Sequence, residues 1–351
     1  MGATSLPAAW ALSGDPLPAI RRGFLVAVPV AACLLAELEF DENVAGALGT
    51  AALISGFIAF DAPALVRARW QLLCAPLIGI AAALGVLTSQ TVPTAILGMG
   101  VVATLGGYAM AVSLRMGIAG LSVVLAFLLA QGLWLEPHQA WEALAIGTAA
   151  GLVQAGWAAG AWALSDRGRE RPFELRQATA EVREKLRAGL HIGHAALRHA
   201  LRFGAALALG VAIYRLVGFD DHGYWLPLTV LFVLKPDAGQ TSDRIAMRAA
   251  GTVAGLAVAT ALAEAMSDAV IPTTAVLTVA AALAFALLAI EYALFTTAIT
   301  VYVVLLTDTL GASAFESAGE RALGTALGIV VAALAWRVFG EADPVKPPVA
   351  V

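Results

Sequence analysis

The chain has 351 residues, 60% of them hydrophobic and 13% charged, with a mean hydropathy of +0.84. A soluble domain carries about a quarter charged residues, so this sequence has too few to cover a water-facing surface. The net charge of −4 says little by itself, since orientation follows where Lys and Arg sit, and no nucleic-acid partner is expected.

Apolar stretches near the ~20-residue length that spans a bilayer recur from end to end. The composition therefore describes an all-α polytopic membrane protein. Residues 1–20 lack a basic stretch ahead of an apolar core and read as a cytoplasmic segment rather than a signal peptide. Twelve hydrophobic segments follow. Those of the first half cover roughly 22–38, 44–60, 68–87, 92–110, 115–133 and 141–164, and those of the second 201–218, 224–236, 245–266, 270–288, 291–307 and 320–339. Cys33 and Cys74 both lie inside apolar segments, which gives neither a disulfide framework nor a metal site, and no cofactor is expected.

The organisation is a first six-span block (21–164), a linker (165–200), a second six-span block (201–340) and a cytoplasmic tail (341–351). In the linker, Leu175, Val182, Leu186 and Leu190 recur at helical spacing, and Glu181–Lys185 is a favourable i,i+4 pair. A short amphipathic helix near the membrane is expected there.

The two blocks repeat one another. Phe40-Asp41-Glu42 recurs as Phe219-Asp220-Asp221, Arg67 as Arg244, and Gly147-Thr148-x-x-Gly151 as Gly324-Thr325-x-x-Gly328, at an offset of about 177 residues. Six spans per block make the repeats parallel, related by an axis along the membrane normal. Arg21, Arg22, Arg67, Arg69, Arg115, the 165–202 cluster, Lys235, Arg244, Arg248, Arg337 and Lys346 then share one side, with only Arg215 and Arg321 opposite. The positive-inside rule makes that side, and both termini, cytoplasmic.

Gly147/Gly151, Gly251/Gly255 and Gly324/Gly328 are each four apart on a helix, which lets helix backbones approach closely; helix packing is their plain reading. Arg244 and Arg248 share a helix face, with Arg248 one turn deeper. Arg244 either snorkels to headgroups, pairs with Asp237 or Asp243, or serves the path. A charge at the depth of Arg248 is costly unless it faces a cavity, an anion or a partner. The matching first-half positions hold Arg67 and Gln71.

The second and eighth segments are short and interrupted, by Gly46, Gly49 and Gly56 in one and by Pro227 and Pro236 in the other. Paired broken segments of this kind point to a transporter's binding site. Tyr224 and Trp225 read as interfacial belt residues or, less simply, as a stacking surface for an aromatic substrate. His191, His194 and His199 read as a surface helix face rather than a ligand set, and Glu291 marks a cytoplasmic turn. No Walker loop, nucleophile elbow, metalloprotease pair or nucleotide fingerprint is present, which argues against an ATP-driven pump and common hydrolases, and no enzyme is expected.

The run Tyr224-Trp225…Thr229…Lys235-Pro236-Asp237…Arg244…Arg248…Gly251-Thr252…Gly255 resembles the fusaric acid resistance protein family of bacterial membrane transporters. That family is similar to aromatic carboxylic acid exporters and, distantly, to plant aluminium-activated malate channels. The resemblance implies export of small organic anions, often aromatic acids, across the bacterial inner membrane. It makes Arg244, Arg248 and Lys235 candidate anion contacts, with Thr229, Thr252 and Asp237 as neighbours. Arg67, Tyr224 and Trp225 complete the candidate substrate-binding set. The lipid bilayer and the substrate are the partners, and a periplasmic adaptor protein is a further candidate. An anion channel or a non-transporting scaffold, docking a partner through the 165–198 helix, are the alternatives. The first half lacks the Tyr-Trp pair, the second Arg and the Gly-Thr step, so an asymmetric site is expected.

Overall fold

In a computed structural model the described residues are 16–133, 135–165, 195–219, 223–235, 238–266, 270–288, 290–310 and 314–339. The amphipathic linker helix, apart from residues that join the following span, and Asp237, His191 and His194 lie outside them.

Twelve α-helices occupy the described residues. They are α1 (Pro16–Leu34), α2 (Glu42–Gly56), α3 (Ala64–Thr88), α4 (Val92–Val112), α5 (Leu114–Gly132), α6 (Ala140–Ser165), α7 (Ala195–Val217), α8 (Trp225–Val233), α9 (Ala238–Ala265), α10 (Val270–Leu287), α11 (Tyr292–Thr309) and α12 (Ala314–Phe339). Ten are long and apolar enough to cross a membrane. The two that are not are α2 and α8, with 15 and 9 residues. At ~1.5 Å per residue α8 rises only about 13 Å, less than half of a ~30 Å hydrocarbon core.

Local chemistry sets several boundaries. Asp41 caps α2 by accepting from the Asn43 N–H, Ser113 caps α5 from Met116, and Glu291 caps α11 from Leu294. Each cap satisfies a donor that the first helical turn leaves open. Glu291 thus sits at a turn between α10 and α11 and is itself buried. In α8, Pro227 falls in the first turn, where its missing N–H removes no helical bond. The helix stops at Leu234, whose backbone is extended. The proline after Lys235 disfavours helical backbone just before it.

The outer surface is apolar. On α3, Leu72, Leu73, Leu77, Ile80, Leu84 and Leu87 are each about half exposed. In water such a stripe would be a large unfavourable patch, whereas it suits a lipid-facing wall. The protein is a multi-pass membrane protein in contact with the bilayer.

The helix pairings recur at an interval of six helices. In the first half α1 packs on α2, α2 on α6, α3 on α5 and α4 on α5; in the second α7 packs on α8, α8 on α12, α9 on α11 and α10 on α11. The most extensive pairings between the halves keep the pattern, α4 with α7 and α10 with α1, and α5 also meets α8. Two hydrophobic cores result. One joins α1 and α2 to α9, α10 and α11; the other joins α3, α4 and α5 to α7, α8 and α12, with the end of α2 reaching into it.

Candidate functional site

The interior of the second half collects four arginines, each against an aromatic ring. Arg202 lies 3.7 Å from the Trp336 ring centroid, Arg244 3.9 Å from Tyr292, Arg321 4.3 Å from Trp225 and Arg248 5.4 Å from Phe232. The ring faces attract the cations and cover one side of each guanidinium plane. That leaves the N–H edges as the donating surface.

The glycine pairs create the close packing that holds these groups. Gly251 and Gly255 set α9 against α11, where an added Cβ would meet the Ala293 carbonyl oxygen at 2.3 Å and the Thr297 carbonyl oxygen at 2.8 Å. Gly324 and Gly328 set α12 against α8, with the Leu226 carbonyl oxygen 2.6 Å from a Cβ at Gly328. Gly147 and Gly151 do the same between α6 and α3, against the Cα atoms of Gly79 and Ala75. Packing this tight is open only to residues without a side chain.

Two arginines are deeply buried among these helices. Arg248 on α9 and Arg321 on α12 are each 1% exposed, and each has its Nε and Nη1 without a partner among the described residues. Arg321 donates from Nη2 to the Thr300 hydroxyl of α11 at 3.2 Å, and the charges of Arg248 and Arg321 interact. Thr252 and Thr296, also buried, add hydroxyls with no partner among the described residues. The cluster is therefore rich in donors and carries two permanent positive charges, since a guanidinium does not lose its proton in a protein.

A second group forms one end of this file. Arg202 Nη2 donates to His199 Nδ1 at 3.1 Å and to the Lys235 carbonyl at 3.2 Å. The Thr241 hydroxyl accepts from the Lys235 N–H at 3.1 Å and from the Trp336 indole at 2.8 Å. Burial, and then the neighbouring charge of Arg244, push the Lys235 ammonium down to about 8.

Several expectations change here. Tyr224 and Trp225 do not form a lipid belt: both are buried, their rings 4.6 Å apart, with Tyr224 against Gly132 of α5 and Trp225 under Arg321. His199 is likewise buried rather than on a surface face. Thr229 uses its hydroxyl within its own helix, donating to the Trp225 carbonyl at 3.0 Å, and turns its methyl to Gly328. Arg67 is buried in α3, whose packing partners are α2, α4, α5 and α6, away from the arginine cluster. At the positions matching Arg248 and Phe232, the first half has a neutral contact, Gln71 donating to the Ser55 carbonyl at 3.2 Å.

Sequence reasoning missed Arg321, Arg202 and the two supporting rings Phe232 and Tyr292. Arg321, read from the sequence only as a charge on the side opposite the other cations, is buried within α12 and donates to Thr300. The signal was present: an Arg three residues ahead of the Gly324-Thr325-x-x-Gly328 step, where the first half has Leu144.

Residues 207–335 match the family described as fusaric acid resistance protein-like, so the resemblance holds beyond Tyr224–Gly255, across most of the second half. The inner membrane protein YccS of Escherichia coli (strain K12) is 34% identical over 138 residues, 39% of this chain and 19% of that protein. An uncharacterised protein of Synechocystis is 35% identical over 69 residues, 20% of this chain and 9% of that protein. The chain thus spans a fifth or less of the length of these curated relatives. No solved structure matches.

Proposed function

We propose that the protein is a secondary transporter that carries small organic anions, aromatic carboxylates among them, out of the cytoplasm across the bacterial inner membrane. The observation that carries this reading is Arg248, a fully buried guanidinium with two open donor atoms beside a second buried arginine. A buried cation left in that state is costly unless an anion visits it.

In this reading the twelve helices form two parallel six-helix repeats, 21–164 and 201–340, with both termini cytoplasmic. The helix pairings that recur six apart support the repeat, and α2 and α8 are the broken elements beside the path. Lys235 and Arg244, with Arg202 behind them, attract the anion at the cytoplasmic mouth. One turn further along α9, Arg248 takes the carboxylate. The rings of Tyr292, Phe232 and Trp225 hold the guanidiniums in place, with their N–H edges left to meet an acid group.

The test is uptake of radiolabelled aromatic and aliphatic carboxylates into inside-out vesicles, wild type beside Arg248→Gln. Saturable accumulation in wild type, absent from a folded variant, supports the transporter. Current that follows voltage alone marks an anion channel using the same basic path. Wild-type flux from folded Arg248→Gln removes Arg248 from the mechanism, and no flux of any acid from intact wild type favours a scaffold.

A further inference from the structure

Arg321 adds a second fixed charge to the site. Its guanidinium is 1% exposed, its Nη2 is satisfied by Thr300, its face lies on Trp225, and its Nε and Nη1 have no partner among the described residues. Arg248 is in the same condition and within its electrostatic reach. Two like charges in one buried neighbourhood repel, and a single negative charge placed between them leaves one positive charge uncompensated.

The main electrostatic neighbours of Arg321 are Arg248 and Tyr224 rather than an acid. Glu320, next to Arg321 in sequence, is exposed. Glu291 caps α11 and keeps its other carboxylate oxygen buried without a partner among the described residues, but it precedes Thr300, the partner of Arg321, by nine residues, about 13 Å along the helix axis, so it does not serve Arg321. The other open groups nearby, the Thr252 and Thr296 hydroxyls, can donate but carry no charge.

Resting on the transport reading above, we infer that the occupied site holds two negative charges at once, one at Arg248 and one at Arg321. The second charge is either a further acid group of the same small organic anion or a separately bound inorganic anion such as chloride. The two arginines belong to helices of different hydrophobic cores, α9 in one and α12 in the other, so the doubly charged occupant bridges the seam between them.

The experiment uses the full chain in proteoliposomes and compares labelled phthalate with labelled benzoate, which share a ring and differ by one carboxylate. It is run in gluconate medium and again with chloride restored. A second charge held at Arg321 by a charge-assisted hydrogen bond corresponds to a preference of about tenfold or more. Phthalate moving that much faster than benzoate in gluconate, whatever chloride does, assigns the charge to the substrate. Benzoate flux that rises with chloride to the phthalate level assigns it to the inorganic anion. Both support the inference. In either case Arg321→Gln should lower the favoured flux by about the same factor and remove any chloride effect, while Arg321→Lys should retain much of it.

Benzoate moving as fast as phthalate with and without chloride would overturn the inference, as would a folded Arg321→Gln protein with unchanged phthalate flux. If benzoate transport is lost in Arg248→Gln but indifferent to Arg321, only this inference fails. If intact wild type moves neither acid, the transport reading itself fails.

Discussion

Replacing Arg248 with methionine separates a residue kept for function from one kept for folding. Methionine has a similar reach and no charge. In the native protein the Nε and Nη1 of Arg248 are buried without partners, and each unsatisfied donor costs about 1–3 kcal/mol. The contact with the Phe232 ring, at 5.4 Å, returns about 0.5–2 kcal/mol. Repulsion from Arg321 adds to the cost, and the methionine keeps most of the stem's packing. The balance favours the variant by about 1–4 kcal/mol, the range seen when buried ionic groups give way to apolar ones. The assay is thermal unfolding of detergent-purified protein in gluconate buffer, where no small anion compensates the site, paired with vesicle flux. Arg248→Met should unfold several degrees higher and transport nothing. A variant less stable than wild type would refute the reasoning, because it would mean that the arginine is satisfied in place and belongs to the fold.

Other outcomes follow from the same geometry. Gly251→Leu should destabilise the protein by about 1–3 kcal/mol or more in the same assay, since even its Cβ meets the Ala293 carbonyl oxygen at 2.3 Å; unchanged unfolding would mean that α9 and α11 are not packed this way. Lys235, held down to about 8 against an ordinary 10.5, loses its charge as pH rises through about 8, so flux at low substrate should fall across that range. Because the unfolded chain binds that proton more tightly, stability should rise with pH over the interval from 8 to 10.5. Lys235→Arg should flatten both profiles. With Cys33 and Cys74 replaced by serine, a cysteine at Gln90 should react with an impermeant maleimide only from outside and one at Asp61 only from inside; labelling of both from one side would break the proposed topology.

Much of the architecture was legible because membrane helices advertise themselves by length. Every apolar segment read from the sequence corresponds to a helix, and the two short ones are α2 and α8, because proline and glycine limit those segments in the sequence itself. The site was only half legible. Arg248 stood out because it lies deep in an apolar run. Arg321 sits seven residues into its helix, where sequence alone allows a surface position, and only the packing of Gly324 and Gly328 on α8 draws that turn inward under Trp225. Tyr224 and Trp225 misled for the opposite reason. An aromatic pair at the start of a span ordinarily marks the interface. Here α8 is too short to begin there, so the pair is carried into the interior.

The repeat in the sequence and the hydrophobic cores divide the molecule differently. If the halves 21–164 and 201–340 rocked as rigid bodies, the packing of α4 on α7 and of α1 on α10 would have to break, and those are extensive apolar contacts. A different division runs between the two hydrophobic cores. One core holds α9 and α11 with Arg248, Thr296 and Thr300; the other holds α8 and α12 with Trp225 and Arg321. Polar links across that seam include the Trp336 indole to the Thr241 hydroxyl, Gln71 to the Ser55 carbonyl, and Arg321 to Thr300, the last set beside two charges that repel. An anion placed there would offset the repulsion between the two charges. The first half cannot duplicate this action, because Gln71 and Leu144 stand where Arg248 and Arg321 stand, and a neutral seam gains nothing from an anion.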